Sequence, residues 1–280
     1  MNIKVLDLFC GCGGFSQGFE EEGFDVLGVD LWDVALKTHG GNTLECNIAK
    51  LNKNNIPKDF SKPDIIIGSP PCQTFSTANR HSRLKDDTLI KHFQRLVRSL
   101  RPKFWVWENV MGSTTVQKGI ILDAQFFGVA QRRRRNFVAN FDISESVMNK
   151  YYKRKKNIKQ TLPSSSIKGS GLLDGYNSKI YSLDDVSPTV RRIPLKWYDG
   201  RYDKTGLPKP LRFTGFDMLS IQDHLSLMGF SRRKKIFGNK SQQMIQIGNA
   251  VSPIVSRALA KRIKYLLSLK EGEVEDGKVF

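Results

Sequence analysis

Cys72 stands where the chain could present a reactive thiol. The apolar run Ile65-Ile66-Ile67 stops at Gly68, and Pro70 and Pro71 directly precede the cysteine. This pattern predicts a buried strand that ends in a rigid turn, because prolines restrict the backbone and remove amide donors. A thiol held at the edge of a cleft can act as a thiolate nucleophile. A structural cysteine at a strand end is the alternative interpretation.

A glycine-rich turn follows the first predicted strand. Residues 3–9 are apolar, and residues 11–14 then lead into a predicted helix. Glycines let the backbone approach a ligand closely, and Asp30, at the end of the next predicted strand, can bond ribose hydroxyls. The pattern is typical of a nucleotide-cofactor site. A dinucleotide-binding dehydrogenase is the weaker interpretation, because Ser16 stands where its third glycine is expected.

A carboxylate follows another strongly apolar strand. Glu108 comes directly after Phe104-Trp105-Val106-Trp107. Open parallel sheets bind ligands beyond the carboxyl ends of their strands. If the two strands are neighbours, Cys72 and Glu108 converge on one crevice, and Glu108 can donate a proton there. A surface carboxylate is the alternative.

Basic residues dominate the middle of the chain. On a strand, alternation would send Gln131, Arg133 and Arg135 to one face and Arg132 and Arg134 to the other. A phosphate-binding basic strip is the simplest interpretation of these arginines. Residues 131–160 hold ten Lys or Arg against two acidic residues, so we expect a polyanion to lie there.

Composition supports the same kind of partner. The 280 residues include 45 Lys or Arg against 27 Asp or Glu, a net charge of +18, which is typical of proteins that bind nucleic acid. The sequence contains neither a membrane-spanning run nor a signal-peptide pattern. The four cysteines lack the spacing of a zinc site, so we predict reduced thiols and no metal.

Taken in order, these motifs resemble the cytosine-C5 DNA methyltransferases of restriction-modification systems. The matching segments are Asp7–Gly14, Pro70–Gln73, Glu108–Val110, Gln131–Arg135, Arg212–Phe230 and Gln246–Pro253. The resemblance implies an α/β fold, with a Rossmann-like S-adenosylmethionine-dependent methyltransferase sheet and a smaller DNA target-recognition domain. The implied division is a catalytic domain at 1–141 plus 250–270, a target-recognition domain with the framework motif at 142–249, and a frayed tail at 271–280.

The resemblance also implies roles for individual residues. The implied catalytic residues are Cys72, Glu108, Arg133 and Arg135, with Arg135 meeting the cytosine O2. The implied S-adenosyl-L-methionine site consists of Phe9, Gly11, Gly13, Gly14, Asp30, Leu31, Asn47, Ile48, Pro70, Leu89, Asn249 and Ala250. The implied DNA-binding residues are Gln73, Ser76, Arg80 and Arg83, on a loop that closes over DNA, together with Arg132 and Arg134.

The sequence departs from the family pattern at two places. Asn47 stands where relatives carry an acid that meets the adenine amino group, although its amide oxygen can accept the same bond. A turn residue at the end of a strand is the alternative interpretation of Asn47. The connection from Met111 to Gly119 leaves no room for the helix that relatives have, so we predict that it is non-helical.

The function implied by the resemblance is methyl transfer to C5 of a flipped cytosine in a specific duplex sequence. Cys72 would form a covalent bond to C6 of the base. The same chemistry on transfer RNA and a catalytically silent DNA-binding relative are the alternatives. We predict a monomer that binds double-stranded DNA in the prokaryotic cytoplasm, associated with the nucleoid. The family's usual role makes a cognate restriction endonuclease acting on the same site a candidate partner, but the sequence does not show whether one exists.

Overall fold

The computed structural model describes residues 2–71, 87–174, 179–202, 208–210 and 218–269, with the backbone alone at 199–202 and 208–210. The strands are β1 Lys4–Leu8, β2 Asp25–Asp30, β3 Thr43–Glu45, β4 Ile65–Gly68, β5 Phe104–Asn109, β6 Ile120–Asp123, β7 Arg134–Ala139, β8 Gly171–Asp174, β9 Lys179–Ser182, β10 Lys196–Tyr202 and β11 Pro208–Pro210. The α-helices are α1 Gly14–Glu20, α2 Asp33–His39, α3 Thr88–Leu100, α4 Glu145–Met148, α5 Ile158–Thr161, α6 Ile221–Met228, α7 Lys240–Asn249 and α8 Pro253–Ser268. Within these ranges, no helix combines the length and the apolar character needed to cross a membrane.

The central sheet has seven strands in the order β3-β2-β1-β4-β5-β7-β6. β1 pairs in parallel with β2 and β4, and β4 pairs in parallel with β5, whereas β7 runs antiparallel to β5. Ile65, Ile66 and Ile67 are fully buried, as expected for a central strand covered on both faces. The predicted α/β class with a mostly parallel sheet is therefore confirmed.

The chain divides into two compact units, which we describe separately. The first contains Met1–Leu122, Arg134–Tyr151 and Val255–Phe280, and therefore most of the central sheet together with nearly all of α8. The second contains Asp123–Arg133 and Tyr152–Ile254. It carries a four-stranded antiparallel sheet in the order β11-β10-β8-β9, which the sequence patterns did not predict. The domain boundaries proposed from the sequence stay predictions.

The short connection after β5 contains a single 3₁₀ turn, Met111–Thr115, and no α-helix, as predicted. Asn136 on β7 secures it, because its amide nitrogen donates to Ser113 Oγ and to the carbonyl of Gln117, each at 3.0 Å. The strand that follows, β6, lies beside β7 rather than beside β5. The connection therefore does not have to make a parallel crossover between adjacent strands, which would need a dozen or more residues.

Two helix boundaries agree with the sequence patterns and one helix was missed. α3 ends at Leu100, before Pro102, and α8 begins at Pro253. Asp87, just before the apolar period of α3, predicts a side-chain cap, but this prediction is wrong: its carboxylate instead pairs with Lys91 at 2.8 Å, one turn into α3. The segment Gln246–Pro253 predicts only the start of the helix at Pro253, so α7 was missed.

Candidate active site

The glycine turn after β1 has the backbone of a ligand-binding loop. Phe9, Gly11 and Gly13 adopt positive φ values of 60°, 51° and 81°. A Cβ added to Gly11 would meet no atom within 4 Å, whereas one added to Gly13 would lie 2.8 Å from the His39 ring. Gly11 therefore faces open space in its own unit, while Gly13 and Gly14 turn the chain into α1.

Asp30 organises this turn from the end of β2. Its Oδ2 accepts a hydrogen bond from the Gly11 amide at 2.9 Å, and its Oδ1 accepts from the amides of Leu31 and Trp32 at 2.8 and 3.0 Å. A carboxylate offers about four acceptor positions, so about one is left for a ligand hydroxyl. The neighbouring Leu31 side chain is 63% exposed, which provides an apolar surface beside that carboxylate. These residues fit the ribose and adenine of a nucleoside cofactor.

The structure places Asn47, Ile48 and Leu89 less favourably for a ligand. Asn47 Oδ1 accepts the amide hydrogen of Ala49 at 2.9 Å, which agrees with the alternative interpretation of a turn residue. The Ile48 side chain is buried in the hydrophobic core, and Leu89 is half-buried in the first turn of α3. Their cofactor roles stay predictions.

A buried polar chain beneath the glycine turn escaped the sequence patterns. The Gly41 amide donates to His39 Nδ1 at 3.2 Å, so a neutral His39 carries its proton on Nε2, which lies 2.8 Å from Ser16 Oγ. The Ser16 hydroxyl donates to Asp7 Oδ2 at 2.6 Å. Ser16, noted above only because it is not a glycine, thus links helix α1 to strand β1. Ser16, in place of a glycine, was the one sequence feature that pointed to this group of hydrogen-bonded residues.

Burial controls the titration of this region. It raises the pKa of Asp7 to about 7, against the lowering effect of the hydrogen bond from Ser16. Burial also raises the pKa of the Cys10 thiol well above its ordinary value, and the nearby Asp7 and Asp30 raise it further. A thiol that resists ionisation is a poor nucleophile. Cys10 is therefore a structural residue.

Glu108 and Arg135 form the central ion pair. Arg135 Nε lies 3.0 Å from Glu108 Oε1, and the two side chains are only 16% and 6% exposed. The antiparallel pairing of Asn109 with Asn136 places the end of β5 beside the start of β7, which brings the two side chains together. A buried carboxylate held by a guanidinium can present directed hydrogen-bonding groups to a ring with donors and acceptors.

The turn that leads to Cys72 is tied to the same strand end. Asn109 Nδ2 donates to the carbonyl of Pro70 at 2.9 Å, and both residues are buried. Asn109 follows Glu108 in the chain, and Pro70 stands two residues before Cys72. The predicted residues Cys72, Gln73, Ser76, Arg80 and Arg83 themselves lie outside the described residues, as does most of the predicted loop.

Arg133 is engaged with the backbone of the second unit. Its guanidinium donates to the carbonyls of Val190, Gly248 and Ala250 at 3.1, 2.9 and 2.9 Å, and the side chain is buried. These contacts hold the end of α7 in place and are those of a positioning residue. The catalytic role predicted for Arg133 stays a prediction, as do the cofactor roles of Asn249, which is exposed, and Ala250.

The predicted alternation of the arginines agrees with their burial. Gln131 and Arg133 are buried and Arg135 is half-buried, whereas Arg132 and Arg134 are exposed. Only residues 134–139 form strand β7, so the first part of the motif keeps this alternation without a regular ladder. Arg132 and Arg134 are thus free to meet solvent or a polyanion, which suits the DNA contact predicted for them.

The chain is similar both to solved structures and to a protein-family model. The chain superposes with a TM-score of 0.69 on a protein assigned as a DNA modification methyltransferase and encoded within an E. coli prophage, at 22% identity over 95% of this chain and 100% of the other. The fold is therefore that of the methyltransferases. Residues 3–120 match the family model of the C-5 cytosine-specific DNA methylases.

Full-length relatives agree with that match. The chain is 28% identical to the type II methyltransferase M.HindV of Haemophilus influenzae, covering 93% of this chain and 96% of the relative. It is 27% identical to the type II methyltransferase M.HgiDI of Herpetosiphon aurantiacus, covering 95% and 96%. Over residues 3–120 the chain matches the C-5 cytosine-specific DNA methylases, and over more than nine tenths of its length it is similar to type II methyltransferases, which supports a DNA (cytosine-5-)-methyltransferase. The resemblance deduced from the sequence motifs is thereby confirmed.

Proposed function

We propose that this protein transfers a methyl group from S-adenosyl-L-methionine to C5 of a cytosine flipped out of duplex DNA, through a covalent bond between Cys72 and C6. The observation that carries the proposal is the hydrogen bond from Asn109 to Pro70 beside the Glu108–Arg135 ion pair. It joins the strand end that bears the carboxylate to the turn that precedes the cysteine. We infer that Cys72, two residues beyond Pro70, and Glu108 act at the same corner of the sheet.

The residue types match the demands of the reaction. Cytosine C5 is a poor nucleophile, so the Cys72 thiolate first adds to C6 and pushes electron density towards C5. A proton shared between Glu108 and N3, together with Arg135 at O2, stabilises the negative charge that the addition places on the ring. C5 then takes the methyl group. Removal of the C5 proton by a base expels the Cys72 thiolate and restores the aromatic ring.

S-adenosyl-L-methionine, when bound, supplies the methyl group as an electrophile on a sulfonium sulfur. Asp30 would hold a ribose hydroxyl with its remaining acceptor position, and Leu31 would pack on the adenine. Gly11 leaves space for the ligand beside the turn. This chain's part is to bind and orient the cofactor beside the strand ends that carry the catalytic residues.

The substrate and partners follow from the chemistry and from the relatives. A cytosine inside a duplex is inaccessible, so the base must leave its stack before Cys72 can reach C6. We propose that residues 142–249 read the target sequence and that Arg132 and Arg134 contact phosphates. The relatives are named type II methyltransferases, which supports a restriction-modification setting. We propose a monomer that works beside a cognate restriction endonuclease.

A cysteine exchange tests the proposal. Cys72→Ala should abolish transfer of tritiated methyl groups to DNA while cofactor binding, measured by calorimetry, is retained. Cys46→Ala is the matched control, because Cys46 is the half-exposed thiol among the three cysteines that the structure describes. Wild type should also form a complex that survives denaturation on DNA containing 5-fluorocytosine, since fluorine at C5 blocks the final elimination.

The outcomes separate the alternatives. Full activity of Cys72→Ala would refute the covalent route. Transfer to tRNA but not to duplex DNA would identify the RNA enzyme. Absence of both transfer and cofactor binding in wild type would identify a silent relative. Bisulfite sequencing of DNA from the expression host would give the modified site directly.

A further inference from the structure

The loop between α6 and α7 concentrates positive charge. Residues 231–240 contain Arg232, Arg233, Lys234, Lys235 and Lys240 and no acidic residue. The loop was not singled out by the sequence motifs, because it lies between two family segments. The density of positive charge in this segment exceeds that of the chain as a whole. Some of these cations form contacts within the protein and others do not.

Two of the five cations are engaged within the second unit. Arg232 Nη1 lies 2.6 Å from Asp223 Oδ1. Burial raises the pKa of Asp223, but the hydrogen bonds from Ser220 and from the Arg232 guanidinium outweigh it and lower the pKa. Lys234 Nζ lies 5.6 Å from the centre of the Phe230 ring. Arg233, Lys235 and Lys240 are exposed and form no ion pair within the described part of the chain. Their charge is available to a partner.

Side-chain amides from α7 fix the tip of the loop. Gln243 Nε2 donates to the carbonyls of Ile236 and Gly238 at 3.0 and 2.9 Å, and Gln246 Nε2 donates to the carbonyl of Phe237 at 2.8 Å. Three consecutive carbonyls are thus bound from one helix. Gly238 adopts φ 94°, a conformation that favours glycine. The tip is therefore a built structure rather than a slack connection.

This fixed tip holds an aromatic ring towards solvent. Phe237 is 47% exposed, although a phenylalanine gains free energy when it is buried. An exposed ring among available cations is the combination with which proteins hold nucleic acid strands, because the cations neutralise phosphates and the ring packs on a base or sugar.

We propose that residues 231–240 form a second DNA-contacting surface, in which Arg233, Lys235 and Lys240 neutralise backbone phosphates and Phe237 packs on a base or sugar. The inference rests on the proposed DNA substrate and adds to it an element outside the motifs that carry the chemistry. Phosphate contacts position a protein without reading sequence. The surface therefore raises affinity for any duplex and leaves the choice of target to other residues.

Salt dependence tests the charged part. Affinity for a mixed-sequence duplex is measured from 50 to 300 mM KCl by fluorescence anisotropy for wild type and for Arg233→Gln/Lys235→Gln. Each lost phosphate contact lowers the slope of log K against log salt by about 0.9, so the double variant should lose about 1.8. Lys58→Gln/Lys62→Gln is the matched control, since it removes the same charge from exposed positions in the first unit.

The aromatic part has a separate signature. Phe237→Ala should weaken binding about tenfold with an unchanged salt slope, since the contact of the ring with a deoxyribose is apolar and involves no phosphate, whereas Phe237→Tyr should retain affinity. Thermal unfolding of each variant confirms that the fold is kept. Equal slopes in the loop variant and the lysine control, or full affinity of Phe237→Ala, would overturn the proposal.

Failure of the underlying function gives a different result. If wild type binds no duplex DNA, the DNA substrate itself is wrong. If wild type binds duplex DNA and the loop variants bind equally well, only the second surface is wrong. A loss of affinity confined to tRNA would identify RNA as the partner of the loop and would also overturn the proposal.

Discussion

At the scale of single residues, the glycine turn after β1 depends on a buried carboxyl group that has no part in the proposed reaction. Asp7 is fully buried in β1, and it accepts its hydrogen bond from Ser16, which in turn meets His39. The His39 ring packs where a Cβ on Gly13 or Gly28 would lie, at 2.8 and 2.7 Å. The imidazole thus fills the space that these glycines leave, and it supports the turn from below.

The raised pKa of Asp7 makes stability depend on pH. Because the folded-state pKa of about 7 exceeds the ordinary value of 3.8, Asp7 contributes stability that is fully present below pH 3.8 and is lost as the pH rises through 7. Between pH 5 and 8, wild type should therefore lose about 3 kcal/mol more unfolding free energy than Asp7→Asn does. Urea unfolding at both pH values measures this. Asp59→Asn, at an exposed carboxylate, should follow wild type, and parallel curves for wild type and Asp7→Asn would contradict the assignment.

Glu108 was assigned to the site from its strand end and Arg135 from the family resemblance. The structure pairs the two side chains at 3.0 Å, and their catalytic roles stay predictions. The hydrogen-bond partners of Arg133 could not be predicted. The alternation of side chains along a strand indicates the face on which a side chain lies, but not the carbonyl groups that it contacts there. The hydrogen-bonded residues Asp7, Ser16 and His39 were also missed, because Ser16 signals only the absence of a glycine and His39 lies 23 residues beyond it.

At the scale of elements, the packing of α8 on α1 completes the first unit. Ser256 Oγ donates to the carbonyl of Phe15, and Arg257 Nε lies 2.6 Å from Glu22 Oε1. A Cβ added to Gly18 would lie 2.4 Å from the Arg257 backbone nitrogen. The two helices approach so closely at Gly18 that no side chain fits between them.

A single methyl group should therefore separate these helices. We expect Gly18→Ala to lower the unfolding free energy by about 1–3 kcal/mol, because overpacking outweighs the better helix propensity of alanine. Gln17→Ala, at the neighbouring position of α1, should stay within about 0.5 kcal/mol of wild type. Urea unfolding followed by circular dichroism decides, and a Gly18→Ala variant as stable as wild type would show that α8 can move away without cost.

The elements that could be predicted are those with strong periodicity or clear end signals. β1, β2, β4 and β5 are apolar runs with glycine or polar ends, and α3 and α8 carry proline or apolar spacing that fixes a boundary. β8–β11 were missed, because short antiparallel strands that depend on their partners carry little local signal. The order of the strands could not be predicted from spacing alone, and the place of β6 beside β7 is seen only in the structure.

At the scale of the whole molecule, the first unit is assembled from three separated stretches of chain. Val255, Leu259 and Ile263 of α8 are buried, the last two completely. Burying three such side chains contributes about 5–9 kcal/mol, which is comparable to the net stability of a whole domain. The composition predicted a polyanionic partner. It could not predict that α8, the last described helix, lies in the same compact unit as β1.

Removal of α8 should consequently prevent the first unit from folding. A chain cut after Ser252 is expected to show no cooperative thermal transition and no calorimetric binding of S-adenosyl-L-methionine. A chain cut after Leu269 keeps the whole helix and should behave as the full-length protein does. A cooperative transition in the shorter chain, with cofactor binding retained, would show that α8 is dispensable.

The position of α8 also sets an order of events during synthesis. While a ribosome is still adding the residues that precede Pro253, the emerging amino-terminal strands lack the helix that packs on Phe15 and Gly18. Nascent chains in that condition expose apolar surface and are held by chaperones or degraded. Translation that stops early would therefore release no partly competent enzyme, and host DNA would meet this protein only after the carboxy-terminal helix has left the ribosome.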